Sequence, residues 1–456
     1  MSDKSNSSGG SLTIAACIMI AVGGMVGSSI FTLSGVTYGM AGPGAIISWM
    51  VAGTIILLYA LNLSELATTF PRMGGIFVYP NIILGKKQQT KDFAGWISAW
   101  SWLNCSVLGT AFSAICISTY LQEFIPVVKD SMALQFIIPL VWIFMGWLLN
   151  AKGISTMGKA NQILITILML IFAVFIIVGL GHADFQNFNP FVSGTMKTQG
   201  VIAGVPIAMN AYGSIIAIAS IANEIKNPKR TIPRAMASAV LLTISVYSLI
   251  LFTTFGFAPV QDFIADPSRQ YYPLLYALLR GLNGKFGWLI GLIPLGALLA
   301  ISNSMLIMIM DAGRTVCAVA ESGFLPKKFK EIDEKSKTPV FALVLVAVVS
   351  AIITLRPDFI WLMINTGSIC SAVTGAIIAF TVIVLRKKQA SGEIKNKSEF
   401  QVPGGIFFPV ISIIAILFIL IVFYFGEGGA MSYMLAGGYY LIGIVIFAIR
   451  QMVKSK

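Results

Sequence analysis

The chain has 456 residues, 57% of them hydrophobic and 11% charged. Soluble globular proteins carry roughly 25% charged residues, and no soluble fold of this length hides so much apolar surface, so the composition makes lipid the solvent. The net charge of +13 does not imply nucleic acid, because lysine and arginine collect in the cytoplasmic loops of membrane proteins.

The first 11 residues are polar and include Asp3 and Lys4. The apolar run that follows, 12–37, exceeds a signal-peptide core of about 7–15 residues and reads as a retained first helix. A span needs about 20 apolar residues. Further charge-free runs of spanning length lie near 41–64, 94–121, 132–151, 161–181, 199–223, 236–258, 286–310, 338–355, 359–385, 406–425 and 430–449. The expectation is an all-α integral membrane protein of twelve helices forming one domain over 1–456, with no soluble domain. Helices 1–5 fall within about 12–181, helices 6–10 within about 199–385, and helices 11 and 12 within about 406–449. With the N-terminus inside, 25 of the 31 basic residues fall in inner segments. The outer segments hold only Lys129, Lys197, Arg269, Arg280, Lys285 and Arg356. This bias predicts a multi-pass cell-membrane protein with both termini cytoplasmic. The five cysteines all lie in apolar runs and read as small packing residues, not as a disulfide or metal set.

No predicted span carries a charged residue near its middle; Glu65, Glu224 and Asp311 fall at predicted cytoplasmic helix ends. That pattern argues against a voltage sensor, a dication site and proton coupling through a buried carboxylate or lysine. No His, Asp, Glu and Cys cluster suggests a hydrolase or metalloenzyme, so no catalytic residue, metal or cofactor is expected. Backbone chemistry remains. The stretch from Gly23 to Phe31 concentrates glycine and serine at mid-helix, which makes helix 1 easy to break. The N–H groups of one half-helix then suit a carboxylate, and the carbonyls of the other suit an ammonium or a sodium ion. Gly23 and Gly27, like Gly35 and Gly39, also have the four-residue spacing of close helix packing. Helix 6 carries its own mid-span Gly-Ser within the stretch from Pro206 to Ile216. Gly27-Ser28-Ser29-Ile30 and Gly213-Ser214-Ile215-Ile216 share Gly-Ser-x-Ile in the first and sixth spans. Paired interruptions of this kind suggest inverted repeats built of helices 1–5 and 6–10.

Here the chain resembles the amino acid–polyamine–organocation permeases along most of its length. Gly24-Met25-Val26-Gly27-Ser28-Ser29-Ile30-Phe31 is similar to their helix 1 signature. Glu65-Leu66-Ala67 with Phe70-Pro71-Arg72-Met73-Gly74-Gly75 is similar to their helix 2–3 segment. The run from Glu224 to Pro233 resembles the motif after helix 6, and Ser322-Gly323-Phe324-Leu325-Pro326 with Thr338-Pro339 the helix 8–9 loop. The resemblance implies a five-plus-five inverted repeat, like that of the bacterial leucine transporter, with helices 1 and 6 discontinuous. It also implies amino acids or related amines as substrates. Carried over by position, Gly27, Ser28 and Ser29 would offer N–H groups to the substrate carboxylate. Carbonyls at Met25 and Val26, and from Asn210 through Ala211 and Tyr212 to Gly213, would receive its amino group; Asn210 and Tyr212 would line or gate the pocket. Four positions depart from the family pattern. Ser29 replaces a usual glycine and Asn210 an aromatic residue found in some members, while Ile216 and Met169 stand where a glutamate or lysine is expected.

Ser214 of the shared motif, Asn104 and Ser106 of helix 3, and Ser302 and Asn303 of helix 8 are further candidates, each either a ligand or an interhelical hydrogen bond. Together these features predict an electroneutral carrier of neutral or zwitterionic amino acids, acting as an exchanger. The alternatives are a proton-coupled symporter, a symporter with sodium among helix 1 carbonyls and hydroxyls near Ser302 and Ser304, an amino acid/amine antiporter, a channel, and an amino acid-binding sensor with a transporter fold.

Overall fold

The computed structural model describes residues 12–282, 287–425 and 429–454. Asp3, Lys4, Lys285 and Lys456 lie outside the described residues. Helix occupies every apolar run read from the sequence, and among the described residues no strand forms. A single parallel bridge joins Leu12 to Ile225.

The first run is two half-helices. α1 (Ile14–Met25) starts at Thr13, whose hydroxyl accepts the Ala16 N–H at 3.3 Å. It stops at Val26, and α2 (Ser28–Ala41) begins after Gly27. α3 (Ala45–Thr69), α4 (Gly75–Ile83) and α5 (Gln88–Phe124) follow, α4 entering through Gly74 at φ 69°. α6 (Met132–Ala151) and α7 (Ile154–Leu180) complete the first half of the chain. α8 (Lys197–Met209) tightens into a 3-10 segment, Asn210–Ile216, before a last short turn, Ala217–Ser220. A mid-helix 3-10 stretch of this length marks a hinge or strained sequence. α9 (Pro228–Phe257) is followed by α10 (Pro273–Leu282) and α11 (Gly287–Glu321). Last come α12 (Val340–Ile353), α13 (Ile360–Ala390), α14 (Phe407–Phe425) and α15 (Gly429–Lys454).

Ten stretches among the described residues are long and apolar enough to cross a membrane. α12, at 14 residues, is about 21 Å long at 1.5 Å per residue, shorter than the run predicted there. α4 and α10 lie outside the predicted runs because each is too short to register as a span. α1 and α2 sit at the centre, with almost every α2 residue buried. α14 and α15 expose Leu417, Ile421, Leu441 and Ile442, as lipid requires.

The three acidic residues expected at helix ends are built in more deeply. Glu65 is 0% exposed; Arg386 Nε and Nη2 donate to its two oxygens at 2.8 and 2.5 Å. Glu224 pairs with Arg314, whose Nη2 and Nε donate to Oε1 at 2.8 and 3.0 Å. α11 continues past the predicted run to Glu321, so Asp311 and Arg314 lie inside the apolar stretch Ile290–Glu321 and not at its end. A charge-free window stops at the first charge, whereas a folded bundle can bury charges that have partners. Backbone bonds close the same end of the bundle: Leu12 N–H donates to Glu224 C=O at 3.1 Å, and Lys226 N–H to Leu12 C=O at 2.9 Å.

Candidate functional site

The break in helix 1 creates a polar surface in an apolar bundle. Gly27 precedes α2 with φ −130° and ψ −146°, and no side chain caps the helix it starts. The N–H groups of a first helical turn have no partner within the helix and carry its positive dipole end. Ser28 and Ser29 line a cavity of about 90 Å³, several times the volume of one water. Across it stand Pro206, Met209, Asn210, Gly213 and Ile216 of the second interruption. α5 supplies Trp102, Cys105, Ser106 and Gly109; α3 supplies Ile56 and Tyr59; α13 supplies Gly367 and Ser368. A second cavity, of about 810 Å³, lies towards the C-terminal end of α2 beside Val36, Gly39 and Met40. Pro206, Ile364 and Phe423 border both, so they form the partition between a vestibule and the inner cavity. Among the described residues, no charged side chain lines either one.

The two interruptions touch. A Cβ on Gly24 would come within 2.8 Å of Ser214 Cβ, so the small residues of both motifs allow the helices to meet. Tyr247 on α9 ties them further: its hydroxyl donates to Met25 C=O at 2.7 Å and lies 3.2 Å from Ala211 C=O. These two expected ammonium acceptors therefore already share a donor. Tyr247→Phe is expected to cost about 1 kcal/mol of stability, the net worth of one such bond, measurable by thermal unfolding in detergent.

The remaining candidates divide. Ser28, Ser29, Asn210, Gly213 and Ser106 line the inner cavity. Asn210 is fixed there by Ser368, whose hydroxyl donates to Oδ1 at 2.5 Å. Met25 and Val26 end α1, while Gly27 packs on α11, where an added Cβ would meet Ser304 Oγ at 2.4 Å. Tyr212 does not line the cavity: its hydroxyl donates to Trp49 C=O at 3.1 Å and its ring packs edge-on against Tyr247, 5.2 Å between centroids. Ser302 accepts a hydrogen bond from Trp142 Nε1 of α6 at 2.8 Å and does not line the inner cavity. Ser214 faces Gly24, and Asn104 is buried outside the cavity lining. Asn303 faces Gly23, where it meets Asn161 of α7; the amide groups of both are buried with no hydrogen-bond partner. Asn161, about two turns before Met169, thus brings a polar α7 side chain to helix 1.

Tyr247, Asn161 and Trp102 were not picked out from the sequence. No motif marks them within their helices.

Comparison with known proteins gives this geometry a setting. The profile of the amino acid permease family matches residues 12–448. The branched-chain amino acid permease BcaP of Bacillus subtilis (strain 168) is 28% identical, over 96% of this chain and 92% of its own length. The methylthioribose transporter of the same organism is 28% identical over 90% and 87%, and its aspartate-proton symporter 27% identical over 82% and 73%. A broken helix 1 facing an interrupted partner across a cavity is thus found in a chain matched end to end by transporters, not enzymes, and the chain belongs to the amino acid permease family.

Proposed function

We infer that this permease carries a zwitterionic amino acid with an apolar side chain by alternating access. The observation that carries the reading is the N-terminus of α2 at Gly27–Ser29 facing Asn210–Gly213 across a cavity that, among the described residues, no charged side chain lines. The first supplies N–H groups for a carboxylate, the second carbonyls for an ammonium, and the surrounding Ile56, Met209, Ile216 and Met363 favour an apolar side chain. A cationic or anionic side chain would find no counter-charge there. The name of the branched-chain relative accords with this reading.

The topology that goes with it is twelve passes, helices 1–5 and 6–10 forming an inverted repeat around the two interruptions. The basic-residue bias puts both termini in the cytoplasm, so the vestibule opens outward and the end closed by Glu65, Glu224 and Leu12 faces inward. The charge-free runs of the sequence by themselves favour exchange. The buried Asp311 removes that support and favours coupling to an ion.

A thermal-shift panel of the proteinogenic amino acids and common amines on the detergent-purified chain tests the substrate class. Neutral apolar amino acids are expected to stabilise, by about 2.7 kcal/mol at a hundred times Kd. Selective stabilisation by aspartate, arginine or polyamines overturns the class, and binding without counterflow in proteoliposomes indicates a sensor.

A further inference from the structure

Asp311 stands on α11 within the stretch Ile290–Glu321 and is 1% exposed. Trp102 Nε1 donates to one of its oxygens and Ser220 Oγ to the other. Both donors are neutral. The guanidinium nearest in sequence, Arg314 one turn along, is spent on Glu224 and on Met310 C=O. Among the described residues, no cation lies within ion-pair distance of Asp311. A carboxylate buried in a membrane bundle without a counter-charge is expensive, and such a residue marks a functional site.

Its neighbours connect it to the cavity. Trp102, Tyr59 and Cys105 all line the inner cavity. Tyr59 on α3 and Cys105 on α5 lie within electrostatic reach of Asp311, as do Arg314 and, through it, Glu224. α1 and α4, which also pack on α11, contain no acidic or basic residue. The Tyr59 hydroxyl is buried and has no hydrogen-bond partner. Ser220 is the last residue of the turn that follows the 3-10 segment. Asp311 therefore ties α11 to α5 and to the turn that follows the 3-10 segment of helix 6, on the closed side of the bundle.

We propose that Asp311 is a proton-binding site that couples amino acid transport to a proton gradient. This rests on the transport reading above. A proton arriving from the cavity adds to one carboxylate oxygen, making an O–H bond and a neutral side chain. That oxygen no longer serves as a charged acceptor, so the tie to Ser220 or Trp102 weakens and the closed side can part. On the far side the O–H bond breaks, the proton leaves to water, and the carboxylate re-forms its two hydrogen bonds.

The test uses the full chain in proteoliposomes with an entrapped pH dye, to which the proteinogenic amino acids are added in turn, alongside exchange of the same amino acids in labelled form. The wild type is expected to acidify the lumen whenever an exchanged amino acid is added. Asp311→Asn is expected to lose at least about tenfold of that acidification while exchange persists. Ser220→Ala provides an independent readout. Removing a donor from the charged form favours the neutral form, so the midpoint of uptake against pH moves up, which a merely structural role would not cause. Undiminished acidification by Asp311→Asn, an unmoved midpoint in Ser220→Ala, or a wild type that exchanges without moving protons overturns the proposal and leaves transport standing. A wild type that does neither overturns the transport reading with it.

Discussion

Gly27→Leu is expected to lower amino acid counterflow in proteoliposomes by at least about a hundredfold, because a displacement of about 1 Å at a positioned group costs that much. Even the Cβ of the new side chain would meet Ser304 Oγ at 2.4 Å and Ser304 Cβ at 2.7 Å. Ser304 has little room to yield, since its hydroxyl donates back to Ile301 C=O at 3.1 Å on a buried face of α11. The start of α2 must then move away from α11, carrying the N–H groups of Ser28 and Ser29 out of register with the wall formed by Asn210 and Gly213. A paired control isolates the cause: Gly27→Ala should be impaired less, and Gly27→Ala with Ser304→Gly should recover part of the loss, since both close contacts disappear. Intact counterflow in a well-folded Gly27→Leu protein would place the substrate elsewhere.

The ion pair of Glu65 predicts the largest effect on stability. Its carboxylate takes two bonds from Arg386 and one from Val402 N–H at 2.8 Å. Arg386 in turn donates to Val402 C=O at 3.0 Å and to Gly405 C=O, so one buried pair joins α3, α13 and the connection that leads into α14. Glu65→Ala leaves the guanidinium without a counter-charge, and the expected loss is about 3–5 kcal/mol. Glu65→Leu combined with Arg386→Met should restore most of it, because replacing both members by apolar groups removes the orphaned charge. Thermal unfolding of the wild type, Glu65→Leu, Arg386→Met and the double variant in one detergent gives the coupling directly. A loss below about 1 kcal/mol in Glu65→Ala would mean that the pair behaves like an exposed one.

Much of this protein was written in its apolar runs. Their length and lack of charge determined that helices would fill them, and the glycines and serines of 23–29 determined where helix 1 would break, since backbone without a Cβ is the cheapest to unwind. The second Gly-Ser motif located the second interruption, although the chain tightens into a 3-10 segment there and does not part. What only the tertiary structure decided was which way each polar residue faces. In helices buried on most sides, no hydrophobic face distinguishes inside from outside. Ser302 and Ser304 are neighbours in sequence, yet one bonds α6 and the other packs on Gly27. Tyr212 was legible and Tyr247 was not, but it is Tyr247 that bridges the two interruptions. Asp311 looked like a helix end because a charge halts an apolar window. The fold supplied Trp102 and Ser220 from distant segments, and those partners let the helix, and the carboxylate with it, continue into the bundle.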